Sequence, residues 1–456
     1  MVTFIEPRIL KGFRDFLPPA EIARRHLLEQ LERCFRSYGF VPIDTPALEY
    51  ADILLGKGGG ETEKQIYRFN DKGGRDVALR FDLTVPFARF VAEHRGELSL
   101  PFKRYHIAKV WRGENTQRGR YREFTQCDFD IVGSDHAPAD FEILLIMRTA
   151  LLSLGVGDIS IRVNHRGLFN RFLSCLGVWK QSIEILRIVD KLAKIGKEET
   201  RRQLAQLLND ALAQEILRFI QVKGSFEESL ASLAEAVGGD SPEVQRLGLL
   251  RRFMVDTGTA ASFVLDPSIT RGLDYYTGVV YETFLNELPD IGSVCSGGRY
   301  DNLAGLYSKE TISGVGSSIG LDRLIAALEA LGKLQTRVSY NQVAIACIQE
   351  EATGRYQALA ARLREAGIPC AVLLEAEKLT KQAMLAEKQG ARWLIISGTD
   401  PLQDPLTLRD LSTRTNQEGL SFGKLITCLK AHEAPSAYDK RSGTTDALAC
   451  LDNEIK

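Results

Sequence analysis

Residues 103–133 read KRYHIAKVWRGENTQRGRYREFTQCDFDIVG, two runs typical of β-strands on either side of a polar loop. The runs are residues 103–111 and 123–132, and the loop is residues 113–119. This arrangement predicts an antiparallel hairpin. Residues 77–83 and 279–284 are also predicted strands, with polar or glycine-rich connections and few βαβ repeats between them. The pattern therefore indicates an α+β domain built on a mostly antiparallel sheet.

Basic side chains crowd this hairpin, against a single acid, Glu114, before residue 123. They are Lys103, Arg104, Lys109, Arg112, Arg118, Arg120 and Arg122. We expect the hairpin to direct Arg112 and Arg120 at a polyphosphate, because guanidinium groups match phosphate oxygens and stay charged. The alternatives are a solvated basic hairpin and a non-specific RNA-binding patch.

Polar side chains alternate along the second strand of the hairpin. Gln126, Asp128 and Asp130 are predicted to share one face with Phe124, while Cys127, Phe129 and Ile131 point to the other. Two buried carboxylates and an amide are costly unless a cationic or hydrogen-bonding ligand satisfies them. The alternative is that they face solvent or pair with nearby arginines.

Residues 80–84, RFDLT, are predicted to end the strand at residues 77–83. By the same alternation Asp82 and Thr84 share a face, where a carboxylate and a hydroxyl suit an ammonium group. The Asp-x-Thr pattern is also common in turns.

Residues 271–278, RGLDYYTG, concentrate an arginine, a carboxylate, two tyrosines and a threonine before a predicted strand. This density suits a pocket for a small polar molecule with an anionic end. The alternative is a turn with a structural Arg–Asp pair.

A glycine-rich and serine-rich run, residues 313–320, leads into a predicted helix that bears Arg323. Neither its spacing nor any other part of the chain matches a P-loop or a dinucleotide-binding fingerprint.

Composition changes along the chain in a way that predicts its domains. Residues 21–38 have helical periodicity, and residues 167–255 are rich in Leu, Ala, Glu, Lys and Arg. We interpret residues 1–330 as a catalytic domain that residues 167–255 interrupt as a helical insertion. Alternating strand and helix patterns then predict an α/β domain over residues 341–432. Residues 433–456 are expected to be a polar, mobile tail.

Bulk properties exclude several classes of protein. The 456 residues include 58 basic and 59 acidic side chains, so global charge does not indicate nucleic-acid binding. No apolar run reaches the roughly 20 residues of a membrane span, so no membrane partner is expected. Eight cysteines lie far apart without a CxxC pair, which disfavours a structural zinc site and a disulfide scaffold. A reducing cytoplasm fits this cysteine usage.

Taken in order, these motifs resemble the class II aminoacyl-tRNA synthetases, and RGLDYYTG resembles the histidyl-tRNA synthetase family in particular. Residues 11–18, KGFRDFLP, look like that family's opening. Residues 45–46, 103–132 and 314–324 look like class motifs 1, 2 and 3. SGGRYDNL at residues 296–303 is similar to a second histidine-specific segment, and residues 341–432 match the anticodon-binding domain in position.

The resemblance implies a fold, an activity and roles for particular residues. It implies an antiparallel class II catalytic domain that activates L-histidine with ATP and transfers it to tRNA(His), in a homodimer. Mg²⁺ would be bridged mainly by the ATP phosphates, with no metal site on the protein. The implied histidine-binding residues are Asp82, Leu83, Thr84, Gln126, Asp130, Arg271, Tyr275 and Tyr276. The implied ATP-binding residues are Arg112, Glu114, Arg120 and Arg323, and Arg271 and Arg112 are the implied catalytic pair.

Two departures from the common bacterial pattern are visible. Asp82 and Asp130 stand where glutamates are often found, and RFDLT replaces the usual RPEGT. Aspartate keeps the charge and shortens the reach, so activity is still expected. The rival hypothesis is a catalytically inactive, histidine-sensing regulatory paralogue, which would lack ATP-binding residues and the anticodon-binding domain. A pure RNA-binding module is a further alternative, but it leaves the Asp82, Gln126, Asp130 and Tyr276 set unexplained.

Overall fold

A computed structural model describes residues 4–56, 63, 65–269, 276–301, 304–307 and 310–431. They divide into two compact units, one within residues 1–14 and 28–334, the other within residues 15–27 and 335–456. The predicted mobile tail, residues 433–456, lies outside the described residues. So do the segment 270–275 and, with it, Arg271 and Tyr275.

The strands of the first unit, in chain order, are β1 Val41–Pro42, β2 Leu48–Tyr50, β3 Arg68–Asn70, β4 Asp76–Leu79, β5 Phe102–Trp111, β6 Glu123–Val132, β7 Ile159–His165, β8 Phe263–Leu265, β9 Val279–Leu285, β10 Cys295–Tyr300 and β11 Gly314–Gly320. The larger sheet has the order β1-β5-β6-β11-β10-β9-β7-β8, and β2-β4-β3 form a smaller one. In the larger sheet only the described edge pairs β1–β5 and β7–β8 are parallel. The predicted α+β class and the hairpin of β5 and β6 are therefore confirmed.

The helices up to the end of this unit are α1 Pro18–Ser37, α2 Ala51–Leu55, α3 Thr84–Glu93, α4 Ala137–Ser153, α5 Arg166–Cys175, α6 Ser182–Val189, α7 Leu192–Ile195, α8 Lys197–Leu207, α9 Asp210–Ile220, α10 Phe226–Ala236, α11 Pro242–Asp256 and α12 Leu321–Ala330. Helices α5 to α11 lie in sequence between β7 and β8, where the sequence predicts a helical insertion. Gly39 follows α1 with φ 78°, the left-handed conformation that ends a helix without steric cost to glycine.

The two faces of β6 differ as the alternation predicts. Cys127, Phe129 and Ile131 are buried in an apolar core, where the Phe129 ring lies 5.0 Å from that of Phe35 on α1. Helix α4 has a buried apolar side that includes Ile143 and Leu144. The opposite face of β6 holds the polar residues and is left for the functional site.

Two expectations about local structure need correction. Strand β4 ends at Leu79, not at residue 83, because Asp82 forms a turn and α3 begins at Thr84. The small-residue run before Arg323 is itself a strand, β11, in the middle of the sheet. Glycine is depleted in strands, so local propensity does not predict a strand here, and tertiary packing places this run in the sheet.

The second unit contains strands β12 Val343–Ile345, β13 Cys370–Val372, β14 Trp393–Ile396, β15 Leu406–Asp410 and β16 Asn416–Leu420, and helices α13 Thr353–Glu365, α14 Leu379–Lys388 and α15 Phe422–Ala431. Its sheet has the order β13-β12-β14-β15-β16. Buried residues of α13 and α15, such as Tyr356 and Leu425, share one core, while Ala386 of α14 belongs to another. The sequence did not predict β16, because this edge strand is polar and largely exposed.

Within the described ranges, the longest helices lack the run of apolar residues that a bilayer-spanning helix needs.

Candidate functional site

A cavity of about 410 Å³ opens on the polar face of β6, β10 and β11. Its wall combines residues from the hairpin, from the start of α3 and from the start of α12. Among the lining residues are Asp82, Thr84, Arg112, Glu114, Arg120, Tyr121, Phe124, Gln126, Asp130, Tyr276, Glu282, Ser296, Tyr300, Ser318, Asp322 and Arg323. Residues far apart in the sequence, from 82 to 323, thus meet at one site.

Strand register explains why so many polar groups converge. Asp130 pairs across β6 with Arg104 on β5 and with Gly316 on β11. Asp128 pairs in the same way with His106 and Ser318. Directly opposed residues point to the same face of a sheet, so the three strands contribute a continuous polar patch.

Arg104 and Asp130 form a buried ion pair beneath the cavity. The Arg104 Nη2 lies 2.8 Å from Asp130 Oδ2, both side chains are almost fully buried, and the guanidinium stacks 4.0 Å from the Phe87 ring centroid. The Tyr300 hydroxyl donates to Asp130 Oδ1 at 2.6 Å. Burial raises the pKa of Asp130, and Arg104 and Tyr300 oppose that shift by favouring the carboxylate.

Asp128 is a second buried carboxyl group, one step along the same face. Burial raises its pKa to about 7, the Arg104 charge opposes the rise, and the Asp130 charge adds to it. The Ser318 hydroxyl hydrogen-bonds Asp128 and also accepts from Gln126 Nε2 at 2.8 Å. The group therefore changes its protonation state close to neutral pH.

Asp82 and Thr84 reach the cavity from a turn and the first residue of α3, not from a strand face. Asp82 Oδ1 accepts from the backbone N–H of Val85 at 3.0 Å, so the carboxylate stabilises the start of the helix. Burial raises the pKa of Asp82, and this backbone hydrogen bond opposes the rise. Asp82 and Thr84 both line the cavity, although the strand predicted for them was wrong.

Several buried acceptor atoms at this face receive no hydrogen bond within the part of the chain that the structure describes. They are Asp82 Oδ2, Asp128 Oδ1, Asp130 Oδ2 and Gln126 Oε1. Asp130 Oδ2 still has the Arg104 charge beside it, whereas the other atoms lack even that direct contact. Buried polar atoms in proteins almost always have partners, so this set indicates a ligand rich in hydrogen-bond donors.

The other end of the cavity is basic. Arg112 Nε donates to the carbonyl of Phe81 at 2.9 Å, and its guanidinium lies 5.1 Å from the Phe124 ring centroid. Arg120, which follows the predicted loop, has its Nη1 3.5 Å from Oε2 of Glu114 in that loop. Arg323 Nη1 donates to the Ser293 carbonyl at 2.5 Å. Fixed guanidinium groups around an open space are suited to a polyphosphate.

The opening segment of the chain braces this loop. Arg14 forms an ion pair with the buried Asp322 at the start of α12, and Asp322 Oδ2 accepts from the backbone N–H of Thr125 at 2.8 Å. The Arg14 guanidinium also stacks 4.1 Å from the Tyr121 ring centroid. The sequence singled out KGFRDFLP only by resemblance, since nothing local to Arg14 reveals a partner 308 positions away.

Family models assign both units. The model described as histidyl-tRNA synthetase matches residues 12–324, and an anticodon-binding domain matches residues 342–432. The chain belongs to the histidyl-tRNA synthetase family. The family and the class II fold predicted from the sequence are thus confirmed.

Curated relatives of this family match nearly the whole chain. A histidine–tRNA ligase of Treponema denticola is 52% identical over 433 residues, which is 92% of this chain and 97% of the relative. A histidine–tRNA ligase of Rhodopirellula baltica is 45% identical over 95% of this chain and 98% of its own length.

Solved structures of the family share this fold. The histidyl-tRNA synthetase of Nostoc sp. PCC 7120 superposes with a TM-score of 0.82 at 33% identity, covering 94% of this chain and all of that one. The Staphylococcus aureus histidyl-tRNA synthetase, at 22% identity and a TM-score of 0.69, shares the fold.

Most of the histidine-binding and ATP-binding residues that the family resemblance implies lie together in the cavity wall. Asp82, Thr84, Arg112, Glu114, Arg120, Gln126, Asp130, Tyr276 and Arg323 all line it. Leu83 is buried and is not part of the cavity wall, but its carbonyl lies 3.5 Å from Arg104 Nη2. Arg271 and Tyr275 belong to the segment outside the described residues.

Sequence reasoning missed some residues of this histidyl-tRNA synthetase site. Tyr300 and Arg104 hold Asp130, and Ser318 holds Gln126. Their cross-strand partners lie up to 192 positions away, so only a predicted register between β5, β6, β11 and β10 would have identified them. Within the described ranges, no His, Cys, Asp and Glu side chains cluster in threes or more as a metal site requires.

Proposed function

We propose that this chain is a histidine–tRNA ligase that activates L-histidine with ATP in the cavity on β6, and then acylates tRNA(His). The observation that carries the proposal is the pair of unpartnered acceptors on cavity-lining residues, Asp82 Oδ2 and Gln126 Oε1, beside the Arg104–Asp130 pair. Membership of the histidyl-tRNA synthetase family, with curated relatives named histidine–tRNA ligase at up to 52% identity, supports the same activity.

Histidine supplies the donors that these acceptors lack. An α-ammonium group carries three N–H donors, and a neutral imidazole carries one more. We assign the ammonium to Asp82, Thr84 and Gln126, and the imidazole to Asp130 and Tyr276. An analogue without these donors would leave buried carboxylates unpaired, which is the strongest basis for rejecting it.

The basic end then receives ATP. The histidine carboxylate attacks the α-phosphorus, the bond to the β-phosphate oxygen breaks, and histidyl-adenylate and pyrophosphate form. Arg112 at the α-phosphate, together with Arg271 by family resemblance, would stabilise the charge that accumulates in the transition state. Arg323, Arg120 and Glu114 would hold the rest of the nucleotide, and the histidine and ATP sites would align the reacting atoms.

Mg²⁺ would be held mainly by the phosphate oxygens of ATP and would offset the charge of the leaving pyrophosphate. Glu282 and Ser296 are among the residues of the cavity wall, and a carboxylate and a hydroxyl are oxygen ligands of the type this ion prefers.

In the second step, the terminal ribose hydroxyl of tRNA(His) attacks the adenylate carbonyl and releases AMP. The match of residues 342–432 to an anticodon-binding domain supports tRNA as the partner. A homodimer is proposed on the resemblance of residues 45–46 to motif 1. A cytoplasmic location is supported by buried free thiols such as Cys34, Cys127 and Cys347.

The hypothesis of an inactive regulatory paralogue predicts a different set of residues and domains. Such a protein would lack the ATP-binding arginines and the anticodon-binding domain. Here Arg112 and Arg323 line the cavity, and residues 342–432 match that domain. These features support an active ligase.

Histidine-dependent exchange of pyrophosphate into ATP is the direct test. The wild-type chain should catalyse exchange with histidine and with no other common amino acid. Asp82→Asn should raise the KM for histidine about 100-fold, because losing one member of a buried charge pair costs about 2–5 kcal/mol. The exposed Asp52→Asn variant is the control. No exchange by the wild-type chain would refute the proposal.

A further inference from the structure

A buried ion bridge lies outside the cavity and joins the helical segment to the catalytic sheet. Asp140, in the first turn of α4, is fully buried. Its Oδ1 lies 2.7 Å from Arg299 Nη2 on β10, and its Oδ2 accepts from Arg246 Nε on α11 at 2.7 Å. One carboxylate thus holds two guanidinium groups that are 53 positions apart in sequence.

Both guanidinium groups also bind the loop that follows β6. Arg299 Nη1 donates to the Ser134 carbonyl at 3.0 Å, and Arg246 Nη1 donates to the Asp135 carbonyl at 3.0 Å. This loop leaves the strand that carries Gln126 and Asp130. The bridge therefore fixes the position of the loop at the C-terminal end of β6.

Arg299 also contacts the turn next to Tyr276, at the wall of the cavity. The Thr277 N–H donates to the Arg299 carbonyl at 2.8 Å, and the Thr277 hydroxyl donates to Asp301 Oδ2 at 2.5 Å. At Gly278 an added Cβ would lie 2.9 Å from Arg299 Cδ, so the turn is packed directly on this side chain. Tyr276, which lines the cavity, immediately precedes that turn.

We infer that Arg246 is a positioning residue: through Asp140 and Arg299 it holds the Tyr276–Gly278 turn and the end of β6 in the geometry that binds histidine. The inference rests on the proposed function and extends it to a residue of the helical segment. It also makes the placement of α11 a determinant of histidine affinity, so that a ligand that displaces this helix would change histidine binding.

The helix itself does not depend on the bridge. Leu247, Leu250 and Met254 of α11 are fully buried, and the ring centroids of Phe253 and Phe141 on α4 are 5.5 Å apart. Removing Arg246 should therefore leave α11 packed. Asp140 then loses one of its two guanidinium partners, and Asp135, in the loop after β6, loses its two hydrogen bonds from Arg246. With one partner gone, the Asp140 carboxylate holds Arg299, and the turn at Thr277 packed on it, less firmly.

The test compares Arg246→Met with Arg251→Met. Arg251 lies on the same helix at similar exposure and pairs with Glu227 of α10 at 2.6 Å. In pyrophosphate exchange, Arg246→Met should raise the KM for histidine about tenfold with less than a twofold change in the KM for ATP. Arg251→Met should match the wild type, and Arg246→Lys should recover part of the affinity.

Hydrogen exchange supplies a readout that does not need activity. The Thr277 amide should exchange faster in Arg246→Met than in Arg251→Met, with the core strand β6 protected equally in both. Equal histidine KM values and equal Thr277 exchange in the two variants would overturn the inference. A wild-type chain without histidine-dependent exchange would instead refute the proposed function. If Arg246→Met does not fold, the same comparison made with Arg246→Gln decides.

Discussion

Asp128, a buried carboxyl group beside the site, makes the stability of the native state depend on pH. Its pKa rises to about 7 because burial penalises the charged form, with Arg104 opposing the shift and Asp130 and Asp82 adding to it. The native state therefore holds a proton that the unfolded chain releases near pH 4. The contribution of this group to stability is complete below about pH 4 and is lost as pH rises towards about 7.

Between about pH 4 and pH 7 this group should lower the free energy of unfolding of the wild-type chain relative to that of Asp128→Asn, by up to about 4 kcal/mol. The profile of Asp128→Asn should lack this component, and the variant should be more stable than the wild type at pH 8. Urea denaturation across this pH range measures both effects. Asp256→Asn, an exposed carboxylate on α11, is the control. An unchanged slope in Asp128→Asn would show that the carboxyl group ionises freely when the chain is folded.

At the level of single residues, the sequence was informative where the period of a strand applied. Alternation placed Gln126, Asp128 and Asp130 on one face, and the structure has them there with buried acceptors. The same argument gave the wrong backbone for Asp82, which sits in a turn. Arg104 counted as one basic residue among seven, because its partner Asp130 follows from strand pairing and not from neighbouring residues.

At the level of elements, β11 depends on residues without side chains. At Gly316 an added Cβ would overlap the Asp130 carboxylate, and at Gly314 it would overlap the Tyr300 ring. Glycine on β11 therefore leaves the space that the Asp130 carboxylate and the Tyr300 ring occupy. The sequence showed that small residues permit close approach, but it did not show that the approaching group is a carboxylate of the next strand.

Gly316→Ala should therefore displace Asp130 without unfolding the sheet. We expect the KM for histidine to rise more than tenfold, since a misplaced carboxylate leaves the imidazole without its partner. Exchange kinetics measure this, and circular dichroism checks the fold. Gly354→Ala, in α13, meets no atom within 4 Å and should leave the kinetics unchanged. A histidine KM near that of the wild type would mean that Asp130 tolerates the methyl group.

At the level of the whole molecule, the order of elements was predicted better than their ends. The sequence indicated an antiparallel sheet, a helical segment between two of its strands and an α/β unit at residues 341–432. It missed β16, whose polar and exposed residues carry no strand period. Hydrophobic periodicity arises from burial of one face of an element. Elements at an exposed edge, or built from glycine, therefore lack a periodic pattern in the sequence.

Local groups of charge govern how the molecule binds tRNA. The chain has a formal net charge of −1, so attraction to tRNA must come from local groups of arginine and lysine. Phosphate contacts release counterions, and the KM for tRNA in the charging reaction should therefore rise steeply between about 50 and 200 mM salt. The KM for histidine should change little over the same range, because its partners Asp82 and Asp130 are buried and weakly screened. Parallel titrations of the two substrates at each salt concentration measure both values. Equal salt dependence for the two would mean that histidine meets a solvated site, contrary to the geometry of the cavity.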